Sequence, residues 1–164
     1  MSGDSDDTAL HAPGVGTAAL HTFVEAEHAL ETSSLLNEGE RSCVALEISN
    51  YADCDYCRSV FILEARRHGI VEADIAAMAW GGRPESVRCR LISHATRRIL
   101  ATGGRLGQAE IADLEHQGLD GSRLIEIVTV IGAYTIATFA NNLSRTRIDP
   151  EFRVADPPQA DTEG

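Results

Sequence analysis

The chain has 164 residues and an apolar fraction of 43%, enough for one domain with a real hydrophobic core. Its 25 acidic residues against 14 basic ones give a formal net charge of −11, which speaks against nucleic acid or an anionic membrane surface as a partner, since both demand basic patches. No stretch reads as the roughly 18 uncharged apolar residues of a membrane span, and residues 1–8 lack the basic start of a signal peptide, so the expected location is cytoplasmic.

Residues 1–16 are acidic, then small, with Pro13, Gly14 and Gly16, and read as a loose arm ahead of a domain over 17–152. Helical spacing begins in residues 17–32, where Leu20, Phe23, Val24 and Leu30 alternate with Glu25, Glu27 and Glu31. Asn37 is placed to cap the next helix, with Glu40 as the other half of a capping box. In that helix Cys43, Val44, Leu46, Glu47 and Ile48 suggest burial on more than one side. The helix restarts at Asp53 or Cys54, runs through Val60, Phe61, Ile62 and Ala65, and stops at Gly69.

A short helix over 72–80 is closed by Gly81 and Gly82, and Pro84 fits the first turn of the one that follows, which carries Val87, Leu91, Ile92, Ala95 and Leu100. Residues 108–117 turn Ile111 and Leu114 inward. Residues 121–144 are apolar nearly all round, which predicts one face in the core and another against a second subunit. From Pro150 the helices are expected to end, with a tail over 153–164. No strand alternation competes, so the fold class is all-α with six or seven helices.

Cys54-Asp55-Tyr56-Cys57 is the motif with chemistry in it. Two thiols within one helical turn can cycle between dithiol and disulfide, and the positive end of the helix favours a thiolate there. Asp53 and Asp55 oppose that thiolate while Arg58 supports it. Half a zinc site or an accident of packing are the other readings; zinc wants four ligands, and neither a second CxxC nor a pair of histidines at metal spacing is present. No metal or cofactor is expected. Cys43 and Cys89 could in principle join, but sit in apolar patterns as small core residues do. Glu47, a carboxylate in a mainly apolar helix, must be paired, protonated or at an opening, and is the first candidate for a base beside the cysteines. Glu64 and His68 share a face with Cys57 and are weaker candidates. The Glu25-x-x-His28 spacing matches half of a di-iron carboxylate motif, but without its partner it reads as a solvated face.

The run over residues 40–69, ERSCVALEISNYADCDYCRSVFILEARRHG, resembles the AhpD-like alkylhydroperoxidase group of the carboxymuconolactone decarboxylase family. GRLGQAEIADL (104–114) and TFANNLSRTRIDPEF (138–152) extend the resemblance in order and spacing. It implies an all-helical bundle whose helical hairpin carries the CxxC, assembled as a homo-oligomer (dimer, trimer or hexamer). It also implies thiol-dependent reduction of hydroperoxides, with Cys57 as attacking thiol, Cys54 as resolving thiol and an external thiol, protein or low-molecular-weight, as reductant. Three positions depart from the family pattern. Phe61 stands where the motif has histidine, Ser42 where it has glutamate, and Asn141-Asn142 where relatives often carry Asn-His. The candidate catalytic residues are therefore Cys57, Cys54 and Glu47. The second reading is a non-redox member on the same scaffold, a small-molecule lyase or decarboxylase or a binding protein, with Phe61 shaping a pocket.

Overall fold

Residues 42–49 are buried without interruption, and the architecture follows from that one segment. In a computed structural model describing residues 17–153, the segment belongs to α2 (Glu38–Tyr51), which packs against α3 (Asp55–Arg67), α4 (Glu72–Ala79), α5 (Val87–Thr102) and α7 (Gly121–Ser144). A helix wrapped by four others is buried on every side: Val44, Leu46 and Ile48 lie at 1% exposure or less, and the polar Ser42, Glu47 and Ser49 are buried with them. α1 (Thr17–Ser33) lies along α7, α6 (Gln108–His116) links α5 to α7, and a 3-10 turn (Pro150–Phe152) returns to α3. The described residues contain seven α-helices and no strand, as the all-α expectation required. The expected arm, residues 1–16, and all but the first residue of the expected tail lie outside the described residues.

Local sequence sets most helix ends. The Asn37 side chain accepts from the Glu40 N–H while the Glu40 carboxylate accepts from the Asn37 N–H, a complete capping box. Two expectations are corrected. Pro84 is not in the first turn of α5, which opens at Val87 with Ser86 as its cap. Buried Asp74 explains the delay: its carboxylate accepts from the Glu85 and Ser86 N–H groups at 2.6 and 3.2 Å and pins the connection to α4. Residues 127–144 carry no charge, and α7 is by length and composition apolar enough to cross a membrane. Here that apolarity serves packing, with Ile127, Val130, Ala133 and Ala137 buried, while Ile125, Val128, Phe139 and Leu143 remain exposed.

Candidate functional site

The α2–α3 turn positions both cysteines. The Asp53 N–H bonds to the Asn50 carbonyl and the Cys54 N–H to the Ser49 carbonyl, a Schellman closure with aspartate at the left-handed position (φ +48°), where glycine is usual. Cys54 then becomes the extended N-cap of α3, and its sulfur accepts from the Cys57 N–H at 3.5 Å. Arg58 binds both acidic neighbours of Cys54. Its buried guanidinium bonds to Asp55 at 2.5 Å and Asp53 at 3.1 Å and lies 4.5 Å over the Trp80 ring, yet Asp55 still opposes a Cys54 thiolate more than Arg58 supports it.

The two sulfurs share one proton unevenly. Hydrogen bonding from the Cys57 thiol lowers Cys54 to about 7, against the opposing effect of burial and with help from the Cys57 N–H. Cys57 is pushed up, first by its bond to Cys54 and then by burial, while the Asn141 amide pulls it back. Of the two sulfurs, Cys54 is the one whose surroundings favour negative charge. Asn141 Nδ2 lies 3.4 Å from the Cys57 sulfur, and Asn142 Nδ2 donates to the Ala52 carbonyl at 2.7 Å, so the last turn of α7 grips the hairpin at two points.

Cys57 opens onto a cavity of about 60 Å³, room for a few water-sized groups. Phe23 and Glu27 of α1, Val60, Phe61 and Glu64 of α3, Tyr134 and Ala137 of α7, and Phe152 line it. The walls are mainly aromatic: Phe61 packs edge-on to Tyr134 at 4.7 Å and Tyr56 to Phe152 at 6.2 Å. Polar groups interrupt them: Glu64 and Arg67 on α3, and the pair Glu27 and Tyr134. The Tyr134 hydroxyl is hydrogen-bonded to the Glu27 carboxylate, whose pKa burial raises. Phe152 places the turn over 150–152 within the fold rather than beyond it.

The expected residues separate. Cys54 and Cys57 are together. Glu47 is not beside the cavity: both its oxygens are held by Arg97 at 2.7 and 2.8 Å, and Ser93 donates a short bond to one of them. The carboxylate is paired, on the α5 side of α2, which is the physical answer to its burial. Ser42 bonds to His68 Nδ1 at 2.7 Å near the far end of the hairpin. Glu64 lines the cavity; Glu25 and His28 are exposed. Among the described residues no three His, Cys, Asp or Glu side chains converge as metal ligands do. Asn141 and Glu27 were missed as site residues, and two adjacent amides in the last turn of an apolar helix were the available signal for the first.

No family model matches the chain, and no curated protein does. Among solved structures it is similar to an uncharacterized peroxidase-related protein from Silicibacter sp. TM1040, with a TM-score of 0.72 and 16% identity over 84% of this chain and 74% of that one. At that identity the likeness is one of fold: the two chains share an all-helical bundle over most of their length.

Proposed function

We propose that the chain is a thiol-dependent peroxidase that reduces small hydroperoxides at Cys57, with Cys54 as resolving thiol and an external thiol as reductant. One observation carries this reading: the Cys57 sulfur faces an aromatic cavity while hydrogen-bonded to a neighbouring sulfur whose pKa is about 7. The Cys54 thiolate is then an internal base for Cys57, in place of the absent histidine. As the Cys57 sulfur attacks the outer peroxide oxygen, its proton passes to Cys54 and the O–O bond breaks, leaving a sulfenic acid and, after protonation, an alcohol. Cys54, easily deprotonated again, attacks the sulfenic sulfur and expels water, closing the disulfide. An external thiol, protein or low-molecular-weight, reopens it by exchange. The exposed apolar side of α7, with Ile125, Val128, Phe139 and Leu143, supports assembly into a homo-oligomer.

The test is thiol loss on adding one equivalent of cumene hydroperoxide to the fully reduced protein, with Cys57→Ser alongside. Loss of two thiols, far faster than for free cysteine and absent in the variant, is the expected outcome. Loss at the free-cysteine rate in both proteins overturns the reading. A second reading would then come forward on the Glu27–Tyr134 bond in the cavity: a non-redox site in which that pair orients a small molecule between aromatic walls.

A further inference from the structure

The exposed apolar residues of α7 are not scattered. Counted from Gly132, Ile125 stands at −7, Val128 at −4, Phe139 at +7 and Leu143 at +11, with half-buried Ile136 at +4. At about 100° per residue, all five lie within about 40° of the direction in which Gly132 faces. They form one seam along the helix, and it reads alike from either end: Ile125 mirrors Phe139, Val128 mirrors Ile136, and Thr129 mirrors Thr135. Both threonines donate to carbonyls of their own helix, Ile125 at 3.0 Å and Ile131 at 2.6 Å, so covering them orphans no hydroxyl. Gly132, at the centre, has no reason to be glycine within one chain. It is exposed, a Cβ there would meet nothing within 4 Å, and glycine inside a helix is destabilising relative to alanine.

We infer that α7 packs antiparallel against α7 of a second copy of this chain, about a two-fold axis passing beside Gly132. A two-fold contact requires a surface that complements itself, and antiparallel pairing brings each position before Gly132 beside the partner's position equally far after it. Ile125 then packs beside the partner's Phe139, and Val128 beside the partner's Ile136. At the axis two glycines meet, which lets the helices approach at the short end of the usual separation of about 8–10 Å. Charge agrees with this orientation. Residues 127–144 carry none, the start of α7 with Asp120, Arg123 and Glu126 is net acidic, and Arg145 and Arg147 follow its end. Antiparallel packing sets these unlike ends side by side, and the helix dipoles favour the same arrangement. Phe139 and Leu143 flank Asn141 and Asn142, so the contact also steadies the turn of α7 that grips the CxxC hairpin. It rests on assembly through α7 and not on the chemistry at Cys57.

The experiment measures the mass of the full chain by light scattering after size exclusion. The expected result is a dimer, or a larger assembly containing it. Gly132→Leu should halve that mass, because two added side chains collide at the axis while each separate fold has open space for one. Circular dichroism checks that the variant stays helical. The axis itself is read by disulfide trapping under mild oxidation, with the wild type as control for its four buried cysteines. Gly132→Cys should link to itself across the dimer. Ile125→Cys should not, since antiparallel packing sets the two copies of that position about 21 Å apart along the helices. A monomeric wild type overturns the contact together with assembly through α7. A mass that survives Gly132→Leu, with no link at Gly132→Cys, overturns this axis and leaves assembly to another face. A link at Ile125→Cys as strong as at Gly132→Cys means a parallel pair and overturns it too. If Gly132→Leu does not fold, the two cysteine variants decide.

Discussion

Asn141 Nδ2 stands 3.4 Å from the Cys57 sulfur and joins the end of α7 to the first turn of α3. A neutral amide can donate to a sulfur but cannot take its proton, so Asn141 steadies negative charge on Cys57 without acting as a base. That division fits a site where proton transfer falls to the neighbouring thiolate.

Replacing Asn141 by Leu should therefore slow oxidation of Cys57 by hydroperoxide without unfolding the chain. A hydrogen bond to a charged group is worth about 1.5–3 kcal/mol, which corresponds to a loss of roughly ten- to a hundredfold. Stopped-flow measurement of thiol consumption against pH would show the slower rate and a profile displaced to higher pH. An unchanged rate would mean that the amide only braces α7.

The acidity of Cys54 predicts a pH dependence of its own. Its bond from Cys57 lowers it from the ordinary thiol range to about 7, so the thiolate fraction falls as pH drops through that value and saturates above it. Alkylation of the reduced protein by iodoacetamide, resolved by peptide, should give a Cys54 rate with a midpoint near pH 7. In Cys57→Ala the midpoint should move up toward that of an ordinary thiol. A midpoint near 9 in the wild type would remove the internal base on which the mechanism depends.

Glu47 is expected to matter for stability and not for rate. Its carboxylate is 1% exposed, while Arg97 is 37% exposed and can find water when the pair is broken. Breaking a fully buried pair costs about 3–5 kcal/mol, and the exposure of Arg97 places Glu47→Ala at the lower end, about 3 kcal/mol. Urea denaturation would measure that loss. Peroxide-driven thiol consumption in the same variant should stay within about twofold of wild type; a hundredfold fall would restore Glu47 to the chemistry.

The features legible in the sequence are those whose causes are local. The capping box needs only Asn37 and Glu40, one turn apart, and α7 shows in its long apolar run. The CxxC is legible for the same reason. What could not be read is set by how helices cross. Arg97 is 50 residues from Glu47, and Asn141 is 84 from Cys57; no spacing rule reaches across that distance. Glu47 in an apolar helix correctly signalled a buried charge that needed a partner, yet gave no sign which helix would supply it. Pro84 failed differently, because a tertiary bond from Asp74 overrode a sound local preference.

Arg58 lies over Trp80 while bonded to Asp53 and Asp55, the residues on either side of Cys54. Trp80 is the only tryptophan in the chain. Indole emission is therefore a single-site signal, with a guanidinium against the ring whose position depends on the turn that carries the sulfurs. When the disulfide closes and that turn shifts, the fluorescence is expected to shift with it, giving the protein a built-in optical reporter of its oxidation state that needs no label.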